Sequence, residues 1–246
     1  MPDSDLEGLT ALVTGSVRGL GRAIAITLAD RNADVAIHYH TSEETAVSLA
    51  EDLGDRAGVE TMAVGADVGD PSDVEEAFDA IEHTLDTVDL LVNNVGTFAP
   101  THWQEITVDR WQSVMASNLT GTYLCSRRAL DPMASNGFGR IVNIGYSGAD
   151  RALVHPKNAP YFIAKTGVTM FTRMLAADTT DTDITANVVA PYVMENSETF
   201  PDDLPKGRPA TFEEVVDAVC FFLDPATRYV SGQHLAVDGG WLPERV

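Results

Sequence analysis

Long apolar stretches are missing from this 246-residue chain: no run approaches the roughly 20 residues that a membrane-spanning helix needs. The opening Met1-Pro2-Asp3-Ser4-Asp5 has neither the basic nor the apolar region of a secretion signal. The expectation is a soluble, cytoplasmic protein without a membrane partner. Cysteine is nearly absent as well. Cys125 and Cys220 both sit in apolar segments of helical pattern, which leaves no disulfide framework and no metal-ligand spacing. They read as small buried hydrophobes. Positive charge is scarce: 16 Lys and Arg, with only Lys157, Lys165 and Lys206 as lysines, face 37 Asp and Glu for a net charge of −21.

A surface this negative repels phosphate backbones and anionic lipid, which argues against nucleic-acid or membrane partners. The acids are spread along the chain instead of gathered in a tail, and the pattern is similar to the surfaces of proteins from salt-accumulating cells. Self-repulsion weakens a compact state in dilute buffer, whereas molar salt shortens the screening length to about 3 Å. Folding or activity is therefore expected to depend on high salt. With 44% apolar residues, the chain is long enough to bury one substantial core.

What is present is an alternation. Short β-branched or apolar runs predict strands near Thr10 to Thr14, Asp34 to Tyr39, Glu60 to Gly65, Asp89 to Asn93, Arg140 to Gly145, Thr185 to Ala190 and His234 to Val237. Helical patterns fill the gaps: Leu20 to Arg31, Ser42 to Leu53, Ser72 to Leu85, Val108 to Met133, Ala159 to Ala177 and Phe212 to Leu223. Pro71 sets the start of the third helix, with Ser72 and Asp73 expected to supply its capping chemistry. Parallel crossovers need covering helices, so the pattern predicts an α/β fold, a doubly wound parallel sheet (Rossmann-like) forming a single domain over 1–246. Ligands bind such sheets beyond the strands' carboxyl ends.

Directly after the first strand comes Thr14-Gly15-Ser16-Val17-Arg18-Gly19-Leu20-Gly21, followed by an apolar-periodic helix. Glycines in a strand-turn-helix context allow a tight turn and a close backbone approach to a pyrophosphate, with the helix N-terminus facing the anion.

The spacing Gly15, Gly19, Gly21 resembles the short-chain dehydrogenase/reductase family, and the resemblance runs along nearly the whole chain. Asp67-Val68 is similar to the family's adenine-contacting pair, and Asn93-Asn94-Val95-Gly96 to its Asn-Asn-Ala-Gly segment. Ser117-Asn118-Leu119 resembles the helix segment whose asparagine supports a proton relay, although Asn118 read alone is equally a helix-surface residue. Tyr161-Phe162-Ile163-Ala164-Lys165 matches Tyr-x-x-x-Lys, and Gly232-Gln233 with Val237-Asp238-Gly239-Gly240 resembles the C-terminal ending. The resemblance implies roles at the cofactor for Gly15, Ser16, Arg18, Gly19, Leu20, Gly21, Tyr39, His40, Thr41, Ser42, Asp67, Val68, Asn94, Val95, Gly96, Pro191 and Val193. It also implies a homo-oligomer, commonly a tetramer built through the helices around Val108 to Met133 and Ala159 to Ala177.

Cofactor choice follows from charge. An NAD site wants a carboxylate at the end of the second strand, whereas the extra phosphate of NADP wants cations and hydroxyls. This chain reads His38-Tyr39-His40-Thr41-Ser42 with no acid before Glu43, and Arg18 can offer a planar fork of donors. NADP is the expected cofactor. His38 and His40 share a strand face, but no third ligand accompanies them, and no metal is expected.

Tyr161 and Lys165, four apart on a helix, share a face. The family tyrosine passes a proton to the substrate carbonyl while its lysine holds the nicotinamide ribose. The nearby ammonium is expected to pull the phenol pKa down toward the working range. The family also has a carbonyl-polarising serine after the fifth strand. Here Tyr146 falls at that position and Ser147 follows it, so Ser147, Tyr146 or neither takes the role. Pro191-Tyr192 replaces the usual Pro-Gly. Substrate identity is expected to reside in Trp103, Tyr146, His155, Tyr192 and Met194, which follow strand ends. Three functions stay open. The first is an NADP-dependent carbonyl/alcohol oxidoreductase, most similar to the 3-oxoacyl-thioester reductase branch through Arg18 and the Glu213-Glu214 helix. The others are a reductase of a pteridine, sugar or other small carbonyl or imine, and an NADP-binding sensor or inactive oligomer partner.

Overall fold

The computed structural model describes residues 5–153, 155–197 and 200–241. Among these, strands β1 (Thr10–Val13), β2 (Asp34–Tyr39), β3 (Thr61–Gly65), β4 (Val88–Asn93), β5 (Gly139–Ile144), β6 (Ile184–Pro191) and β7 (His234–Val237) form one parallel sheet in the order β3-β2-β1-β4-β5-β6-β7. Helices α1 (Gly19–Ala29), α2 (Glu43–Ala57), α3 (Pro71–Thr84), α4 (Val108–Met115), α5 (Gly121–Asn136), α6 (Ala159–Asp178) and α7 (Phe212–Leu223) cover it. The doubly wound Rossmann-like sheet expected from the alternation is the fold observed. No described helix is long and apolar enough to cross a membrane.

Strand period two divides the core. Leu12 and Leu91 face one side, while Val13 and Val92 face the other. On Val13's side α1, α2 and α7 contribute Ile24, Leu28, Leu53, Val219 and Phe222. On Leu12's side α3 and α5 contribute Phe78, Ile81, Ala129 and Met133. Burial on both faces explains why the strands read as unbroken apolar runs. The chain builds outward from β1 to β3, then returns to place β4 on the opposite flank of β1. That reversal opens a crevice beyond the carboxyl ends of β1 and β4.

Three local expectations need correction. The cap of α3 is Asp70, whose carboxylate accepts from the Ser72 and Asp73 amides, so the helix begins at Pro71. Helix α2 runs past Leu53 to Ala57 and stops at Gly58, whose φ of 74° closes the end. The helix expected from Val108 to Met133 is broken into α4 and α5 by a π-helical turn at Ala116–Thr120, and it extends to Asn136. Cys125 and Cys220 are buried and unbridged, and burial pushes the Cys125 thiol up to about 12.

Arg128 on α5 locks α3 in place. Its guanidinium donates to Glu75, Asp79 and Glu82 at 2.8 to 2.9 Å and lies 5.3 Å from the Phe78 ring centre. Replacement by alanine abandons three carboxylates, and Arg128→Ala is expected to cost about 2 kcal/mol. The loss should be larger in dilute buffer than in molar KCl, which screens the freed acids. Thermal unfolding of both proteins at the two salt levels measures it, and equal midpoints would refute the clamp.

Candidate active site

The glycine-rich turn is held by side chains from three strands. Thr14 Oγ1 accepts the Asn94 and Val95 amides at 2.9 and 3.1 Å, and Asn94 Nδ2 returns bonds to the Thr14 and Gly15 carbonyls at 2.9 and 3.3 Å. A Cβ on Gly21 would fall 2.4 Å from the Gly15 carbonyl oxygen, so only glycine lets α1 approach this closely. His38 braces the turn from β2: its Nδ1 accepts the Gly15 amide at 2.9 Å and its Nε2 donates to the Ala66 carbonyl at 3.2 Å. This arrangement needs a neutral ring, and burial lowers the His38 pKa to about 4. Ser16 is tied to the same strand. Its amide donates to the His38 carbonyl and its Oγ accepts the His38 amide, so its polar groups are turned away from the crevice. The Leu20 side chain lies in the core.

The crevice suits a dinucleotide. Helix α1 has no capping side chain and no acid in its first turn, which leaves its first amides and its dipole open to an anion. Arg18 stands exposed beside it, and His40, Thr41 and Ser42 are exposed past β2. The first acid, Glu43, is engaged by the Tyr39 hydroxyl, and the Tyr39 ring covers Gly65. The Asp67 carboxylate accepts the Gly69 amide at 2.9 Å, while Val68 is buried against Gly121. Asn93 turns into the core, where it bonds Ser126 and Asn143 at 3.0 and 2.8 Å. No described group of three His, Cys, Asp or Glu could hold a metal.

At the reacting end, α6 presents Tyr161 and Lys165. The Lys165 ammonium is buried, donates to the Ile144 carbonyl at 2.7 Å, and lies 5.9 Å from the Tyr161 ring centre. Burial lowers the lysine pKa to about 8. The phenol moves opposite to expectation: burial, then the neighbouring Tyr146, push its pKa above the usual tyrosine value. Desolvation in this cleft disfavours the phenolate, and Tyr161 stays protonated at neutral pH. Asn118 is no surface residue. The π turn buries it completely, with Nδ2 donating to the Thr97 and Val114 carbonyls at 3.0 and 2.9 Å. Its Oδ1 has no partner, and a Cβ built on Gly96 would lie 2.9 Å from that oxygen and 3.4 Å from Lys165 Nζ. Gly96 therefore keeps open the space these two groups flank.

Aromatic rings wall the substrate side. Phe98 packs 4.5 Å from Tyr161, Tyr146 meets Tyr161 edge-on at 6.4 Å, and Tyr192 stacks on Trp241 at 4.0 Å. Trp103 and His155 are exposed on neighbouring loops. Met194 packs against the core. The backbone beyond β6 is secured where Ser147 donates to the Pro191 carbonyl and Ala210 to the Val193 carbonyl. Sequence reasoning missed Thr14, Phe98 and Trp241, and it did not see His38 as a brace. Only the histidine carried a signal, its two-residue spacing to His40.

A parallel sheet with a glycine turn at its switch point and a Tyr-Lys pair at the reacting end defines a dinucleotide-dependent oxidoreductase. The chain belongs to the short-chain dehydrogenase/reductase family. Residues 15–242 match the family described as Enoyl-(Acyl carrier protein) reductase. A 3-oxoacyl-[acyl-carrier-protein] reductase of Aquifex aeolicus is 32% identical, with 96% of this chain and 98% of the relative covered. A short-chain type dehydrogenase/reductase of Picea abies is 33% identical over 96% and 93% of the two chains. Among solved structures, a gluconate 5-dehydrogenase from Burkholderia cenocepacia in complex with NADP and tartrate superposes with a TM-score of 0.88. It is 32% identical, with 96% of this chain and 95% of that one covered.

Proposed function

We propose that this protein is an NADP-dependent reductase that converts a carbonyl to an alcohol, with 3-oxoacyl thioesters as the leading substrate class. The observation that carries the reading is the partly buried Tyr161 with the buried Lys165 on the same helix, the Lys165 ammonium 5.9 Å from the Tyr161 ring centre and close to Gly96. Exposed Arg18, His40, Thr41 and Ser42, with Glu43 engaged elsewhere, suit the extra phosphate of NADP. Gly15, Gly19, Gly21 and the α1 terminus would receive the pyrophosphate, and Asp67, Val68, Asn94, Val95, Gly96, Pro191 and Val193 would line the rest. When bound, the reduced cofactor supplies the hydride that reaches the carbonyl carbon. Tyr161 gives its proton to the carbonyl oxygen, and its raised pKa keeps that proton available at neutral pH. Lys165 orients the ribose side, and Asn118 shapes the space next to it.

The similarity to the gluconate dehydrogenase favours a second substrate reading, a small sugar acid, in the same site. A cytoplasmic homotetramer is the assembly we favour, since α4, α5 and α6 leave Val108, Tyr123, Met170 and Met174 exposed. The acid-rich surface suits a salt-rich interior. Nicotinamide absorbance in molar KCl, read with a panel of 3-oxoacyl thioesters and keto sugar acids, tests the function. Thioester reduction with NADPH preferred over NADH is the expected result. Cofactor binding that stabilises the fold without any turnover would make the protein a binder instead.

A further inference from the structure

We infer that the Tyr146 phenol, not the Ser147 hydroxyl, donates the second hydrogen bond to the substrate's carbonyl oxygen. Reduction places negative charge on that oxygen, and a fixed donor beside the proton-giving tyrosine stabilises it. The chain offers two hydroxyls just after β5. Ser147 is fully covered by protein: its exposure is 0%, its amide is held by the Pro191 carbonyl, and its Oγ has no partner. A hydroxyl sealed inside the protein offers nothing to a substrate oxygen.

Tyr146 is half-buried and lies beside Tyr161. Its ring meets the Tyr161 ring edge-on, with centres 6.4 Å apart and planes inclined by 62°. Phe162 at 5.0 Å and Trp241 at 6.2 Å brace it from other sides. The backbone is pinned by His234, whose Nε2 lies 3.2 Å from the Tyr146 carbonyl. Gly148 makes the room: a Cβ there would fall 2.8 Å from Cε1 and 3.1 Å from Cζ of the Tyr146 ring. The phenol end therefore lies over a position where any larger residue would displace it. Burial raises the Tyr146 pKa to about 12, so it holds its proton as a donor.

In the reaction, the hydride from the reduced nicotinamide forms the new C–H bond and the carbonyl π pair moves to oxygen. Tyr161 transfers its proton to that oxygen, and Tyr146 contributes a hydrogen bond without losing its own proton. The products are the alcohol and the oxidised cofactor.

The assignment rests on the carbonyl reduction proposed above, and three variants assayed on the best substrate separate the two. Tyr146→Phe is expected to lower kcat by about 10²-fold with the NADPH Kd and thermal midpoint kept, while Ser147→Ala stays near the parent kcat. A parent-like kcat in Tyr146→Phe, or an equal loss in Ser147→Ala, overturns the assignment. If Tyr161→Phe also turns over normally, the reading of the site as a reductase fails; if it is inactive, only the Tyr146 role is lost.

Discussion

Replacing Tyr161 by phenylalanine should lower kcat for carbonyl reduction by about 10²- to 10⁴-fold while leaving NADPH affinity and the unfolding midpoint close to those of the parent. The contrast follows from what each part of the side chain does. Its ring packs against Phe98 at 4.5 Å and Tyr146 at 6.4 Å, and phenylalanine keeps those contacts. Only the hydroxyl disappears, and with it the proton. Stopped assays across pH add a second readout. Because burial holds the phenol above the ordinary tyrosine range, reduction should stay flat through neutral pH, whereas alcohol oxidation, which needs the phenolate, should climb with pH. A reductive rate that falls steeply as pH rises through about 7 to 9 would show an acid of lower pKa at work.

Acid sensitivity at the cofactor turn is the second large effect. Neutral His38 accepts the Gly15 amide and donates to the Ala66 carbonyl, and protonation removes the acceptor. Its folded pKa, about 4, lies below the ordinary 6.5, so the unfolded chain takes up the proton first. The stability contributed by the neutral ring is therefore complete above pH 6.5 and is lost as pH falls toward 4, amounting to about 3 kcal/mol. Thermal midpoints of the parent and His38→Asn, compared in molar KCl from pH 7.5 to 4, isolate this group from the many surface carboxylates. The parent's advantage should shrink steadily over that interval. A constant difference would mean that His38 titrates alike in both states.

Much of the site could be read in the chain because its signals are local. Tyr161 and Lys165 share a helix face by spacing alone, and Gly15, Gly19 and Gly21 mark a turn between a strand and a helix. The strand limits at Asp34–Tyr39 and His234–Val237 match their apolar runs. Other features depend on partners far along the chain. Asn94 and Thr14, 80 residues apart, clasp the turn, and Asn93, its neighbour, serves the core network instead. Alternation along a strand sends adjacent residues to opposite faces, but which asparagine faces the crevice depends on the register with β1 and β5. The π turn that buries Asn118 leaves no mark in a pattern of apolar residues.

Residue order alone determined the alternating elements, the nucleotide-type turn and the shared helix face of Tyr161 and Lys165, because each arises from backbone preferences and periodicity within a few residues. Tertiary packing decided the rest. It buried Ser147 completely while leaving Tyr146 half-exposed beside Tyr161, raised the Tyr161 pKa by burial, and made His38 a brace. Those outcomes depend on how much water each group loses and which distant atoms replace it, and desolvation exists only once the chain has closed around them.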